Sequence, residues 1–126
     1  MVAHKKKDNI YWLLPGGGVN YGENLPQALA REFVEELGII IQPGDIIYCS
    51  ESISPCGKRH IINIIFECTF ISGDYKLGND KRLHNYSFFS HDEITNLTIY
   101  PAMNSVICNI LQNNKPEIIY HKTGWI

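Results

Sequence analysis

The chain has 126 residues, enough for one domain with a real core and too few for two. Hydrophobic residues make up 44% and charged residues 19%, the proportions of an ordinary soluble globule, and a formal charge of −2 excludes a general attraction to nucleic acid or acidic membranes. No apolar run approaches the roughly 20 residues that span a bilayer and no signal peptide precedes the fold, so a cytoplasmic protein with no membrane partner is expected.

Lys5-Lys6-Lys7 reads as a solvated turn, with phosphate contact as the other reading. Ile10 to Leu14 is a β-rich run closed by Pro15, a short strand feeding Gly16-Gly17-Gly18. Trp12 within it suits the core or a pocket wall. Three glycines in a row permit backbone to lie close to a ligand or a partner segment. The spacing then predicts a helix over 25–37. Asn24 with Gln27 makes a capping box, Pro26 is tolerated in a first turn, and Gly38 offers the left-handed conformation that ends helices. Leu25, Leu29, Ala30, Phe33 and Leu37 form its apolar arc.

Glu32, Glu35 and Glu36 share a neighbouring arc, so their carboxylates are expected to converge on one patch. Like charges at this spacing destabilise a helix by roughly 0.2–0.5 kcal/mol per pair. Arg31 supplies one compensating charge, and a divalent ion with hard oxygen ligands, Mg²⁺ or Mn²⁺, would neutralise the rest. Taken alone, such a cluster is more often a solvated helix face. The glycine turn and Glu23 at its far end set this one apart.

After the helix, Ile39-Ile40-Ile41 and Pro43-Gly44-Asp45 read as an apolar exit and a turn, before a strand over 46–52. Ser54-Pro55-Cys56-Gly57 marks a loop, and Lys58, Arg59 and His60 offer contacts to a phosphate or ribose. His60 to Ile71 is the longest strand candidate and, apolar on both faces, is expected to be central. Glu67 inside it either points into a site or lies in water near a sheet edge. Residues 72–85 read as a loop and Tyr86 to Phe89 as a strand. Ser90 with Glu93 caps a short helix. A final helix runs from Tyr100-Pro101 to about Gln112, with Met103, Val106, Ile107, Ile110 and Leu111 as its packing stripe. The tail from Glu117 to Ile126 adds a strand or packs Trp125 elsewhere, a second subunit of a homodimer included. Cysteines 49, 56, 68 and 108 show no paired spacing and read as buried thiols in a reducing cytosol.

Gly17, five residues, Glu23, seven residues, and then Arg31-Glu32-Phe33-Val34-Glu35-Glu36-Leu37-Gly38-Ile39 match every fixed position of G-x5-E-x7-R-E-U-x-E-E-x-G-U, with U aliphatic or aromatic. On these 23 residues the chain resembles the Nudix hydrolases, and the flanks extend the similarity more weakly over most of its length. The resemblance implies an α/β fold, a Nudix-type α/β/α sandwich with a mixed β-sheet, as one domain over 1–126. Val2 to Lys5 then corresponds to the tail of a second strand, and the strand before it is missing or shortened.

The implied reaction is attack of water on the diphosphate of a nucleoside diphosphate linked to another group, with Mg²⁺ or Mn²⁺. The implied metal ligands are Glu32, Glu35 and Glu36, with the Gly17 carbonyl as a further one. Arg31 would orient a glutamate, and Glu23 would touch metal through water or hold the loop. Many family members place a further glutamate in the loop corresponding to 72–85. Here Asp74, Asp80 and His84 are the substitutes, Asp80 preferred, and the general base stays open among Asp80, Glu35 and Glu23. Pro55, sixteen positions after Ile39, stands close to a proline of members acting on ADP-ribose, so Pro55, Lys58, Arg59 and Trp12 are the expected substrate contacts. The partner is a small-molecule nucleotide, ADP-ribose or a nucleotide sugar first. A nucleoside triphosphate, capped RNA or a diadenosine polyphosphate is the same-class alternative. A nucleotide binder without turnover, or a chain competent only as a dimer, is the alternative from another class.

Overall fold

The computed structural model describes residues 1–113 and 120–125. In chain order these form β1 (Val2–Lys6), β2 (Asn9–Leu13), α1 (Leu25–Leu37), β3 (Ile39–Ile53), β4 (His60–Gly73), β5 (Leu83–Tyr86), α2 (His91–Ile94), α3 (Asn104–Leu111) and β6 (Tyr120–Lys122). The class is α/β, with the strands in two three-stranded sheets ordered β2-β1-β5 and β4-β3-β6. Two compact units share the chain, Met1–Asp45 with Glu67–Phe88, and Ile46–Phe66 with Phe89–Ile126.

In the first unit β1 is the middle strand, antiparallel to β2 from Val2↔Leu13 to Lys6↔Asn9 and to β5 on its other side. Lys5 and Lys6 therefore belong to a strand, and of the expected lysine turn Lys7 alone turns the chain, at φ 56. Pairing with β1 also moves β5 forward. It starts at Leu83, opposite His4, and ends at Tyr86, where the sequence placed its beginning.

Helix α1 has the expected ends. Asn24 accepts from the Gln27 N–H, Gln27 returns a bond to the Asn24 N–H, and Gly38 sits at φ 67. Leu37 is buried with Val2, Ile39 and Ile41, and Leu29 and Phe33 pack against that cluster. Burying side chains of this kind contributes roughly 1.5–3 kcal/mol each. Leu25 departs from the expected arc: in the first turn it is exposed, and Ala28 is buried instead.

The expected turn at Pro43-Gly44-Asp45 is continuous strand in β3. Ile39 and Ile41 are buried while Ile40 between them is exposed, the period of a strand. At Gly44 a Cβ would stand 3.1 Å from the Glu67 carbonyl oxygen, so glycine there serves close approach of backbone. Beyond β4, the loop of residues 74–82 closes the end of α1: Lys76 N–H donates to the Leu37 carbonyl at 2.9 Å and Gly78 N–H to the Glu36 carbonyl at 2.9 Å.

In the second unit Tyr48, Ser50 and Ser52 of β3 are buried, as are Ile94, Ile99, Met103 and Cys108. Glu93 accepts from the Ser90 N–H at the start of α2. Helix α3 begins at Asn104 because Met103, at φ −133, buries its side chain from a non-helical conformation, and Asn104 Nδ2 ties the start to the carbonyls of Ile94 and Leu97. Leu111, expected in the stripe, is exposed. Strand β6 runs parallel to β3 from Cys49↔Tyr120 to Glu51↔Lys122. Trp125 meets the Tyr100 ring edge-on at 6.1 Å, so its partner is within the chain. Glu117 and Ile126 lie outside the described residues.

Strand β4 is not central. Among the described residues it is an edge strand beside β3, and Ile62, Ile64, Phe70 and Ile71 stay exposed. An apolar run on both faces of a strand does not by itself bring burial on both sides, because burial depends on what packs against each face. Glu67 is exposed, which decides for the water-facing reading. All four cysteines are free, but of them Cys108 is buried, Cys49 and Cys68 are half-buried and Cys56 is exposed. Among the described residues no helix is long and apolar enough to cross a membrane.

Candidate active site

The first unit carries a cavity of about 580 Å³. Gly16, Gly17 and Gly18 form its floor, and α1 contributes Glu32, Glu35 and Glu36. Asn79, Asp80, Arg82 and Leu83, from the loop and β5, make the opposite wall with His4 of β1. The glycines fit because side chains there would fill the space. A Cβ on Gly17 would fall 2.2 Å from Glu32 Oε1. Gly16, at φ 147, donates its N–H to Glu36 Oε2 at 3.1 Å.

Arg31 does not line the cavity but braces it. Nη2 and Nε hold Glu23 at 2.7 and 3.1 Å, Nη1 reaches Glu32 at 3.0 Å and Glu35 at 3.2 Å, and Nη2 donates to the Gly18 carbonyl at 2.8 Å. Glu23 also accepts from the Asn20 N–H, and through these bonds it holds the loop. The Arg31 hydrogen bonds keep the Glu23 carboxyl below the ordinary carboxylate range. Glu35 is the most open of this group, with its side chain 58% exposed.

Glu36 is in the opposite situation. Removal from water pushes its pKa up to about 7, against the Gly16 hydrogen bond, and the charges of Glu32 and Asp80 push it further the same way. Asp80 is held at about 2, chiefly by the Arg82 guanidinium. An acid so stabilised is ionised at neutral pH and a weak proton acceptor.

The three helix acids share a cavity without converging as expected. Among the described residues no three His, Cys, Asp or Glu side chains stand as a ready-made metal cage. Arg31 draws Glu32 and Glu35 toward itself while the glycine turn holds Glu36. The donor set still fits a hard divalent cation, because it is all carboxylate and carbonyl oxygen, and a desolvated Glu36 faces two further carboxylates, Glu32 and Asp80, with the Arg82 charge acting against them.

None of the expected substrate contacts lines this cavity. Trp12 is half-buried on β2 and does not line the cavity, and Pro55, Lys58 and Arg59 are exposed in the turn between β3 and β4, in the second unit. Asp74 and His84 do not line it either. His4, Asn79 and Arg82 were not singled out from sequence. For Arg82 the signal was its place two residues after Asp80; for His4 it was the strand register opposite Leu83, which sequence does not give. His4 Nε2 is buried, with no hydrogen-bond partner among the described residues.

A glycine turn laid against an acid-bearing helix on an α/β frame defines a class of domain known by that motif. The chain belongs to it: the family model described as NUDIX domain matches residues 1–110. It is 36% identical over 83 residues to an ADP-ribose pyrophosphatase of Methanocaldococcus jannaschii, a match covering 62% of this chain and 48% of that protein. The chain thus spans about half the length of that curated relative. An 8-oxo-dGTP diphosphatase of Buchnera aphidicola is 32% identical over 112 residues, covering 87% of this chain and 83% of the relative. The crystal structure of a MutT protein from Methanosarcina mazei superposes with a TM-score of 0.71 at 28% identity, covering 91% of this chain and 83% of that one.

Proposed function

We propose that this chain is a divalent-metal-dependent hydrolase of a nucleoside diphosphate linked to another group, ADP-ribose or a nucleotide sugar first, giving a nucleoside monophosphate and a phosphorylated product. The observation that carries the reading is the cavity itself, where Glu32, Glu35 and Glu36 face a glycine floor. Those acids, with the Gly17 carbonyl, would hold Mg²⁺ or Mn²⁺. When bound, the ion supplies positive charge to the diphosphate and lowers the pKa of water. Arg31 and Glu23 fix the floor and the helix to one another, which keeps the reacting groups in place. Glu35, open to solvent and held through one oxygen, is the proton acceptor that fits best, since arginine holds both Asp80 and Glu23 at depressed pKa.

The relative named ADP-ribose pyrophosphatase favours the first substrate class. The relative named 8-oxo-dGTP diphosphatase, matched over more of both chains, favours the second reading, a nucleoside triphosphate cleaved to release pyrophosphate. Product analysis separates them. AMP from ADP-ribose with Mg²⁺ supports the first, pyrophosphate from a triphosphate supports the second, and no product from either overturns both of these substrate readings. Glu35→Gln run alongside should lose about a hundredfold or more in rate with its melting temperature kept, because the side chain is on the open face of α1.

Gly17→Ala gives a separate check. Its Cβ would meet Glu32 Oε1, Cδ and Oε2 at 2.2 to 2.7 Å, and these are the far end of a flexible side chain. The carboxylate should swing away, so Mg²⁺ affinity by calorimetry should fall while the melting temperature stays close to wild type. Unchanged Mg²⁺ affinity would mean Glu32 is not a ligand.

A further inference from the structure

We propose that Arg82 is the substrate-binding residue of this cavity for the diphosphate, receiving the phosphate oxygens that the acid wall cannot. The inference rests on the hydrolase reading for its ligand class and on the following geometry for its residue.

Four carboxylates line the cavity, those of Glu32, Glu35, Glu36 and Asp80, and a diphosphate brings further negative charge. Metal bound at the helix acids neutralises one side of such a ligand. The other side needs donors from the protein. Arg31 is spent, since its Nε, Nη1 and Nη2 all bond to Glu23, Glu32, Glu35 or the Gly18 carbonyl. Arg82 differs. Its Nε and Nη2 lie along Asp80, at 3.2 Å to both oxygens from Nε and 2.7 Å to Oδ2 from Nη2, while among the described residues Nη1 makes no hydrogen bond. A whole guanidinium edge is left for an incoming anion, in the planar arrangement that matches phosphate.

Asp80 makes this edge a prepared one. Its Oδ1 accepts the Arg82 backbone N–H at 2.9 Å and its carbonyl accepts the Leu83 N–H at 3.0 Å, so side chain and turn are fixed by the same residue. Asp80 is then a positioning residue for Arg82, which gives it a role other than proton acceptor. His4 stands on the same wall with Nε2 unpartnered among the described residues, a second polar atom that a ligand oxygen would satisfy.

The test uses imidodiphosphate, the non-hydrolysable analogue of the diphosphate itself, titrated calorimetrically into wild type, Arg82→Gln, Arg82→Lys and Asp80→Asn at saturating Mg²⁺. A charge-assisted contact of this kind carries about ten- to a hundredfold in affinity. Arg82→Gln should weaken binding by that factor with Mg²⁺ affinity unchanged, Arg82→Lys should recover part of it, and Asp80→Asn should fall between. With an active wild type, KM of Arg82→Gln should rise far more than kcat falls. Equal affinity in wild type and Arg82→Gln, or a loss matched by lost Mg²⁺ binding, overturns the proposal. A wild type that binds the analogue through Arg82 yet hydrolyses no diphosphate would instead overturn the hydrolase reading and leave the contact standing.

Discussion

Gly78→Ala should destabilise the protein by about 3 kcal/mol or more and disable the cavity with it. A Cβ on Gly78 would stand 1.8 Å from the Glu35 carbonyl oxygen and 2.9 Å from its carbon, atoms of helix backbone that have no rotamer to move into. Relief requires the loop to lift from the end of α1. That breaks the Gly78 bond to the Glu36 carbonyl and strains the Lys76 bond to Leu37, leaving helix carbonyls without partners. Asn79 and Asp80 follow directly and would be displaced from the cavity. Chemical denaturation beside Gly18→Ala checks this, because a Cβ at Gly18 meets nothing within 4 Å and that variant should be nearly neutral. A loss below about 1 kcal/mol for Gly78→Ala would show that the loop does not sit on the helix.

The second large effect concerns pH. Glu36 has its pKa raised from 4.5 to about 7 in the metal-free fold. Between those values the folded protein keeps a proton that the unfolded chain has released, so stability falls as pH rises through this window and levels off above it. The half-buried side chain is partly screened by solvent, which brings the expected fall to about 1–2 kcal/mol. Glu36 therefore lowers the stability of metal-free protein at pH 8 relative to pH 5, against the opposite contributions of His4 and the Met1 amino group, whose pKa burial lowers, and Glu36→Gln should remove the Glu36 part of the difference. Added Mg²⁺ should raise the wild-type melting temperature more at pH 8 than at pH 5, since binding requires the ionised carboxylate. A variant with the same pH dependence as wild type would place the titration elsewhere.

The helix and its acids were legible in the sequence because their signals are local. Capping pairs, a left-handed glycine and i, i+3, i+4 spacing are all set within a few residues. Asp80 came from resemblance, and it lines the cavity with the helix acids. What stayed hidden depends on pairing between distant segments. The register that sets His4 opposite Leu83, the close approach that makes Gly44 part of a strand, and the edge position of β4 are fixed by partners that no short window contains. Arg31 shows the same limit. Its spacing to Glu35 was readable, but its span from Glu23 to the Gly18 carbonyl explains why the acids share a cavity without forming a cage.

Cation binding at the helix acids is most directly measured by titrating Mn²⁺ into wild type, Glu32→Gln and Glu36→Gln at pH 8 and following free Mn²⁺ by electron paramagnetic resonance. Wild type should bind, and each variant should bind at least about tenfold more weakly with its fold retained. No Mn²⁺ binding by wild type, or equal binding by all three, would contradict a metal site on Glu32 and Glu36.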